Sequence, residues 1–109
     1  AYMRKAAALL HPADYESFGM VIAEAHVCGC PVVAFDVPFA AREVMPGRLR
    51  EYLVELNDTE AMGAALRRAV SATYPSEDAE DFLSELEPEV AIAKYYDRYE
   101  QWCRQPSGR

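Results

Sequence analysis

Two acidic side chains, Glu16 and Glu24, stand eight positions apart around the stretch Glu16-Ser17-Phe18-Gly19, and the chain's candidate chemistry is concentrated there. The stretch follows a short apolar run, Ala8 to His11, closed by Pro12, and it leads into the apolar segment Phe18 to Val27. A polar loop that leaves a strand and feeds a helix lies, in an open α/β sheet, at the carboxyl ends of the strands, where ligands bind. A helix start there presents N–H groups without intrahelical partners and a partial positive charge, which suits phosphate. Gly19 has no Cβ and permits close backbone approach. Glu24 is the only charged residue in its segment, with His26 counted neutral, and it lies roughly 7.5 Å along the helix from Gly19 at ~1.5 Å per residue. Side chains lean towards the helix N-terminus, so this carboxylate can point back at a ligand held at the start. It can accept two O–H bonds at once, which suits a vicinal diol such as ribose. A pyrophosphate at the helix start with a ribose beside Glu24 fits the spacing. On these residues alone a plainer reading stays open, with Glu16 a solvated loop acid and Glu24 a surface position.

The elements that would carry these residues alternate strand and helix. Tyr2 to Ala7 reads as the end of a helix, Ala8 to His11 as a buried strand and Ala13 to Ser17 as a polar loop. Phe18 to Val27 is apolar almost all round and reads as a buried helix stopped by Gly29. Pro31 to Phe35 reads as a second buried strand, Asp36 to Pro38 as a turn, Ala40 to Val44 as a short helix and Tyr52 to Leu56 as a weaker third strand. Asp58 is placed to N-cap a helix running through Ser71, with Met62, Leu66, Ala69 and Val70 as its apolar face. Pro75 breaks that helix, Ser76 starts an acidic one, and Pro88 sits in the first turn of a last helix reaching Cys103. The pattern predicts an α/β fold, a Rossmann-like parallel sheet with flanking helices. Three buried parallel strands need neighbours, so the chain is expected to be the last part of a doubly wound domain whose first strands are missing. Residues 1–109 are read as one such part, closed by the helices from 76 to 104.

Composition narrows the function classes. Hydrophobic residues make up 51% of the 109, enough for a packed core. The formal charge of −7 comes entirely from residues 51–109, with six basic and thirteen acidic side chains; residues 1–50 carry five of each. No basic stripe is present for nucleic acid, and an acidic end is repelled by an anionic membrane surface. Cys28, Cys30 and Cys103 form no disulfide framework, and with His11 and His26 they give no zinc spacing. They are expected to be reduced thiols in a cytoplasmic protein. No signal peptide and no apolar run of ~20 residues is visible. The first residue is Ala1, which suggests a processed, excised or incomplete chain.

The segment from Leu9 to Asp36 resembles glycosyltransferase family 4, the glycosyl transferases group 1 domain of the GT-B fold. Pro12, Glu16, Phe18, Gly19, Glu24, Ala25, Gly29, Pro31, Val32, Val33, Ala34 and Asp36 fall in the register of that family, and the likeness continues through Arg42-Glu43-Val44 and Asn57-Asp58 to about residue 72. The resemblance implies a donor-binding, carboxyl-terminal part of a retaining glycosyltransferase of carbohydrate biosynthesis. Glu16 would contact hydroxyls of the donor sugar and act as the catalytic residue. Ser17, Phe18, Gly19 and Met20 would form the donor loop, with the amides of the last three at the sugar–phosphate junction, and Glu24 would hold the ribose. The helix end would stabilise the leaving nucleoside diphosphate. No cofactor and no metal is expected. The implied partners are a nucleotide-diphosphate sugar and an amino-terminal acceptor-binding domain that is absent from the sequence; peripheral membrane contact would lie in that absent part. Two departures stand out. Pro38-Phe39 replaces a glycine pair common in relatives, and the basic residues that clamp the diphosphate belong to the earlier part of such a domain.

Two further readings keep the fold and change the role. One is an inactive nucleotide-sugar-binding or scaffold module; the other is a fragment of a GT-B phosphorylase or of a glucan or trehalose-type synthase. Among the remaining residues, His11 reads as packed or hydrogen-bonded and His26 has no assigned role. Tyr95, Tyr96, Tyr99 and Trp102 read as packing against a partner domain. The acidic run Glu77 to Glu89 reads as a solvated face.

Overall fold

A computed structural model describes residues 2–15, 18–38 and 41–104, apart from the side chains of Tyr95 and Trp102. Three parallel strands form the sheet in chain order: β1 (Leu9–His11), β2 (Val32–Phe35) and β3 (Leu53–Val54). Leu9 faces Val32 and His11 faces Ala34, while Ala34 also faces Leu53 and Phe35 faces Val54. Helix α1 (Met20–Val27) connects the first two strands. Helix α2 (Ala41–Val44) and a 3-10 turn (Gly47–Tyr52) connect the second pair. Then come α3 (Thr59–Ser71), α4 (Glu77–Glu85) and α5 (Pro88–Arg104). The sequence predicts this α/β order of elements. No helix among the described residues is long and apolar enough to cross a membrane.

β2 is buried throughout, which explains its unbroken Val-Val-Ala-Phe. α3 packs against it, and α1 packs against β1, β2 and α4. Val32, Val33, Ile22, Met45, Leu49 and Ala65 are almost wholly excluded from water. Each of the larger side chains among these contributes about 1.5–3 kcal/mol on burial. The β2 backbone is completed from an unexpected source. Leu9 donates its amide to the Pro31 carbonyl, so the polar groups of Val32 face away from β1. β3 pairs only with Ala34 and Phe35 and does not reach Val32. The Tyr74 hydroxyl takes its place, accepting from the Val32 amide at 3.1 Å and donating to the Val32 carbonyl at 3.3 Å.

Helix ends follow local chemistry. Asp58 accepts from the Ala61 amide at 2.8 Å, which starts α3 as expected. α1 ends in a Schellman arrangement, with Cys30 donating to the Ala25 carbonyl and Gly29 to that of His26. Gly29 supplies the positive φ of 67° that this ending requires.

Several expectations are corrected. Tyr2 to Ala7 contains a single helical turn, with Lys5 and Ala6 both donating to the Tyr2 carbonyl, because the chain then extends into β1. α1 is amphipathic in place only: Ile22, Ala23, Ala25 and His26 are inside, while Met20 and Val27 are exposed. Val70 is 52% exposed, and Ala65 takes its place in the buried stripe of α3. The third strand is two residues long, because Tyr52 ends the 3-10 turn and Asp58 donates back to the Glu55 carbonyl. The acidic run is not wholly solvent-facing. Arg48 grips Glu77 and Asp78 at 2.5 and 2.6 Å, and Asp78 also accepts the Arg48 amide at 2.7 Å, which ties α4 to the 3-10 turn.

Candidate donor-binding site

Because β1 and β2 are parallel, the segments that follow them open on the same end of the sheet. One leads from Pro12 to α1 and the other from Asp36 to α2. Glu16 and Ser17, the predicted sugar contact and its neighbour, lie outside the described residues, as does Phe39 of the second loop. Phe18, Gly19, Met20 and Glu24 are described.

Gly19 is the N-cap of α1, with φ 66° and ψ 30°, and it offers no side chain to the first amides of the helix. A left-handed N-cap costs a glycine little and other residues more. The neighbour of Gly19 is not open space. A Cβ built there would stand 2.8 and 2.9 Å from the two methyl groups of Val44. The glycine therefore permits a close approach, but the group that approaches is α2. Phe18 presents its ring to solvent, being 77% exposed, and Met20 is 62% exposed.

Glu24 lies one turn beyond Met20, and both border a largely apolar groove shared with Tyr2, Met3, Val27 and Leu86. Glu24 is exposed on this face of α1. The groove joins Glu24 to the start of α1 through Met20.

A second, smaller depression lies at the carboxyl end of β2, bordered by Asp36, Val37, Pro38 and Arg42. Arg42 donates to Asp36 through Nε at 3.0 Å and through Nη2 at 2.6 Å, a two-point pair. The hydrogen bonds from Arg42 hold the Asp36 carboxyl below its usual range, against a smaller effect of burial, and the positive charge of Arg50 adds to the lowering. Glu24 and this ion pair border separate depressions.

His26 has a place that sequence reasoning missed. Its side chain points into the core and is only 7% exposed. Nε2 lies 2.8 Å from the Val44 carbonyl. A carbonyl can only accept, so Nε2 carries the proton. The ring also meets Phe82 of α4 edge-on, with centroids 6.4 Å apart. Burial lowers the imidazole's affinity for a second proton, outweighing the opposite effect of the Val44 bond. The two-residue offset from Glu24 places it on another face, as predicted, but a histidine inside an apolar helix face was itself the signal of a buried tie. The Asp36–Arg42 pair had a weaker signal, an acid and a base on either side of a post-strand turn. Cys28, Cys30 and Cys103 are free thiols.

The family model for glycosyl transferases group 1 matches residues 1–72, which include β1, α1, β2, both loops and α3. Comparison with curated proteins and with solved structures gave no match.

Proposed function

The chain belongs to the glycosyl transferases group 1 family, and on that premise we propose that it is the donor-binding, carboxyl-terminal part of a retaining glycosyltransferase that takes its sugar from a nucleotide diphosphate. The carrying observation is the start of α1: its N-cap Gly19 supplies no side-chain cap among the described residues, it opens at the carboxyl end of β1, and Glu24 lies one turn behind Met20 on an exposed face. The diphosphate lies against the first amides of α1, where the helix dipole and N–H groups outside the intrahelical ladder favour it. Glu24 accepts from the ribose hydroxyls, and Glu16 accepts from hydroxyls of the sugar. Transfer breaks the bond between the anomeric carbon and the diphosphate oxygen. Negative charge grows on the departing diphosphate, and the helix start stabilises it. The acceptor oxygen takes the anomeric carbon, and the acceptor is held by a separate domain. No metal is needed for this division of labour.

Calorimetric titration of the chain with UDP, GDP and ADP tests the reading. One of the three is expected to bind, and the corresponding nucleotide sugar is expected to compete with it. Absence of heat with all three, from a chain whose fold is verified by circular dichroism, would remove the donor role.

A further inference from the structure

Val44 belongs to α2 and meets the segment of α1 in two ways. Its methyl groups occupy the space beside Gly19, at 2.8 and 2.9 Å from where a Cβ would stand. Its carbonyl receives the proton of His26, which belongs to the middle of α1. The Val44 side chain is almost fully buried, and the His26 ring that holds its carbonyl also meets Phe82 of α4 edge-on. Two positions before Val44, Arg42 grips Asp36 at the end of β2. α2 is thus anchored twice, by Arg42 to Asp36 after β2 and by Val44 to α1.

We propose that Val44, clamped by His26, is a positioning residue that holds the first turn of α1 and the loop carrying Asp36 and Arg42 as one unit. This rests on the reading that a diphosphate binds at the start of α1. Val44 fills the space that a Cβ at position 19 would need, so a shift of the first turn carries Val44 with it, as closely packed groups move together. The start of α1 and the Asp36–Arg42 pair therefore keep a fixed spacing. Productive binding tolerates only small errors in such placement.

The test uses the 109-residue chain in two measurements: amide resonances by NMR, and titration with UDP, GDP and ADP. Val44→Ala is expected to shift the amide resonances of Gly19 to Ile22 and the Arg42 Nε–H resonance, while those of Met62 to Ala69 in α3 stay in place. Nucleoside diphosphate affinity should fall about tenfold. His26→Leu should do the same, and His26→Gln, which can still donate to the Val44 carbonyl, should restore the wild-type pattern. Gly19→Ala should weaken binding, and adding Val44→Ala to it should recover at least about threefold by removing the clash. Should Val44→Ala fail to fold, Val44→Ile presses one methylene further towards Gly19 and must give the same shifts. Unmoved Gly19 to Ile22 and Arg42 resonances in a folded Val44 variant would overturn the proposal, and so would simple addition of the Gly19 and Val44 effects. If the wild type binds none of the three nucleotides but the coupled shifts appear, the donor reading falls and the positioning role stands.

Discussion

Replacing Tyr74 by Phe removes a single oxygen, and the structure sets what that oxygen is worth. It accepts from the Val32 amide at 3.1 Å and donates to the Val32 carbonyl at 3.3 Å, on the side of β2 that β3 does not reach. Val32 is fully buried, so the variant leaves one donor and one acceptor without partners. A buried polar group deprived of its partner costs about 1–3 kcal/mol. The longer bond contributes less, so about 2–4 kcal/mol is expected for the pair. At roughly 4 °C per kcal/mol for a chain of this size, Tm should fall by about 8–16 °C. The phenol adds a pH signature. Burial pushes it up to about 12, from an ordinary value near ~10. Its contribution is complete below about pH 10, where the unfolded phenol is also neutral, and is lost as pH rises towards the folded value. With partial exposure discounted, the loss is about 2 kcal/mol. Urea denaturation of wild type, Tyr74→Phe and the exposed control Tyr96→Phe at pH 8 and at the highest alkaline pH that preserves the fold makes the comparison. Wild type and Tyr74→Phe should differ clearly at pH 8 and converge as pH rises. Equal midpoints at pH 8 would show that water or another group serves Val32, and the strand-substitute argument would be wrong.

Glu24→Gln should weaken nucleoside diphosphate binding by about 1–3 kcal/mol, read by calorimetry, since the lost contact is charge-assisted; an unchanged dissociation constant would place the ribose elsewhere. Glu16→Gln, in a protein that also supplies the acceptor domain, should leave nucleoside diphosphate affinity intact and lower transfer, because its contacts tighten in the transition state. Joint loss of binding and rate would instead make Glu16 a support for the loop. His26 titrates below its ordinary range when folded, so the unfolded chain takes up the proton first and stability should fall as pH drops below ~6.5. His26→Gln should flatten that acid limb in thermal melts, and an identical pH profile for both proteins would remove His26 from the account.

Much of the fold was legible because its signals are local. The β-branched run at Val32 and Val33, the Asp58 cap, and the glycine at position 29 each act within a few residues of themselves. The placement of Gly19 at the start of α1 and of Glu24 one turn beyond Met20 was legible for a similar reason, since a polar stretch between a strand and an apolar helix fixes both by chain geometry alone. What remained hidden depends on partners distant in sequence. Tyr74 supports Val32 from 42 positions away, and nothing beside either residue announces it. His26 meets Val44 across 18 positions, so its role needs the packing of α2 on α1. The short third strand was overread because Tyr52 to Leu56 has strand composition, yet the 3-10 turn before it and the turn at Asn57, with φ 67°, leave only two residues extended.

The order of the strands in the sheet has a consequence for how the chain folds. β1, β2 and β3 lie side by side in the order of synthesis, and each pairing joins residues about twenty positions apart, as in Ala34 with Leu53. Loops of that length close at modest entropic cost. Each strand can therefore dock on the one just made, before the later helices exist. Tyr74 arrives after all three and joins the upstream end of β2. Assembly by accretion thus ends with a distant hydroxyl fastening a sheet already laid down, so a chain stalled before residue 74 would hold its strands in register with that end of the sheet still unsealed.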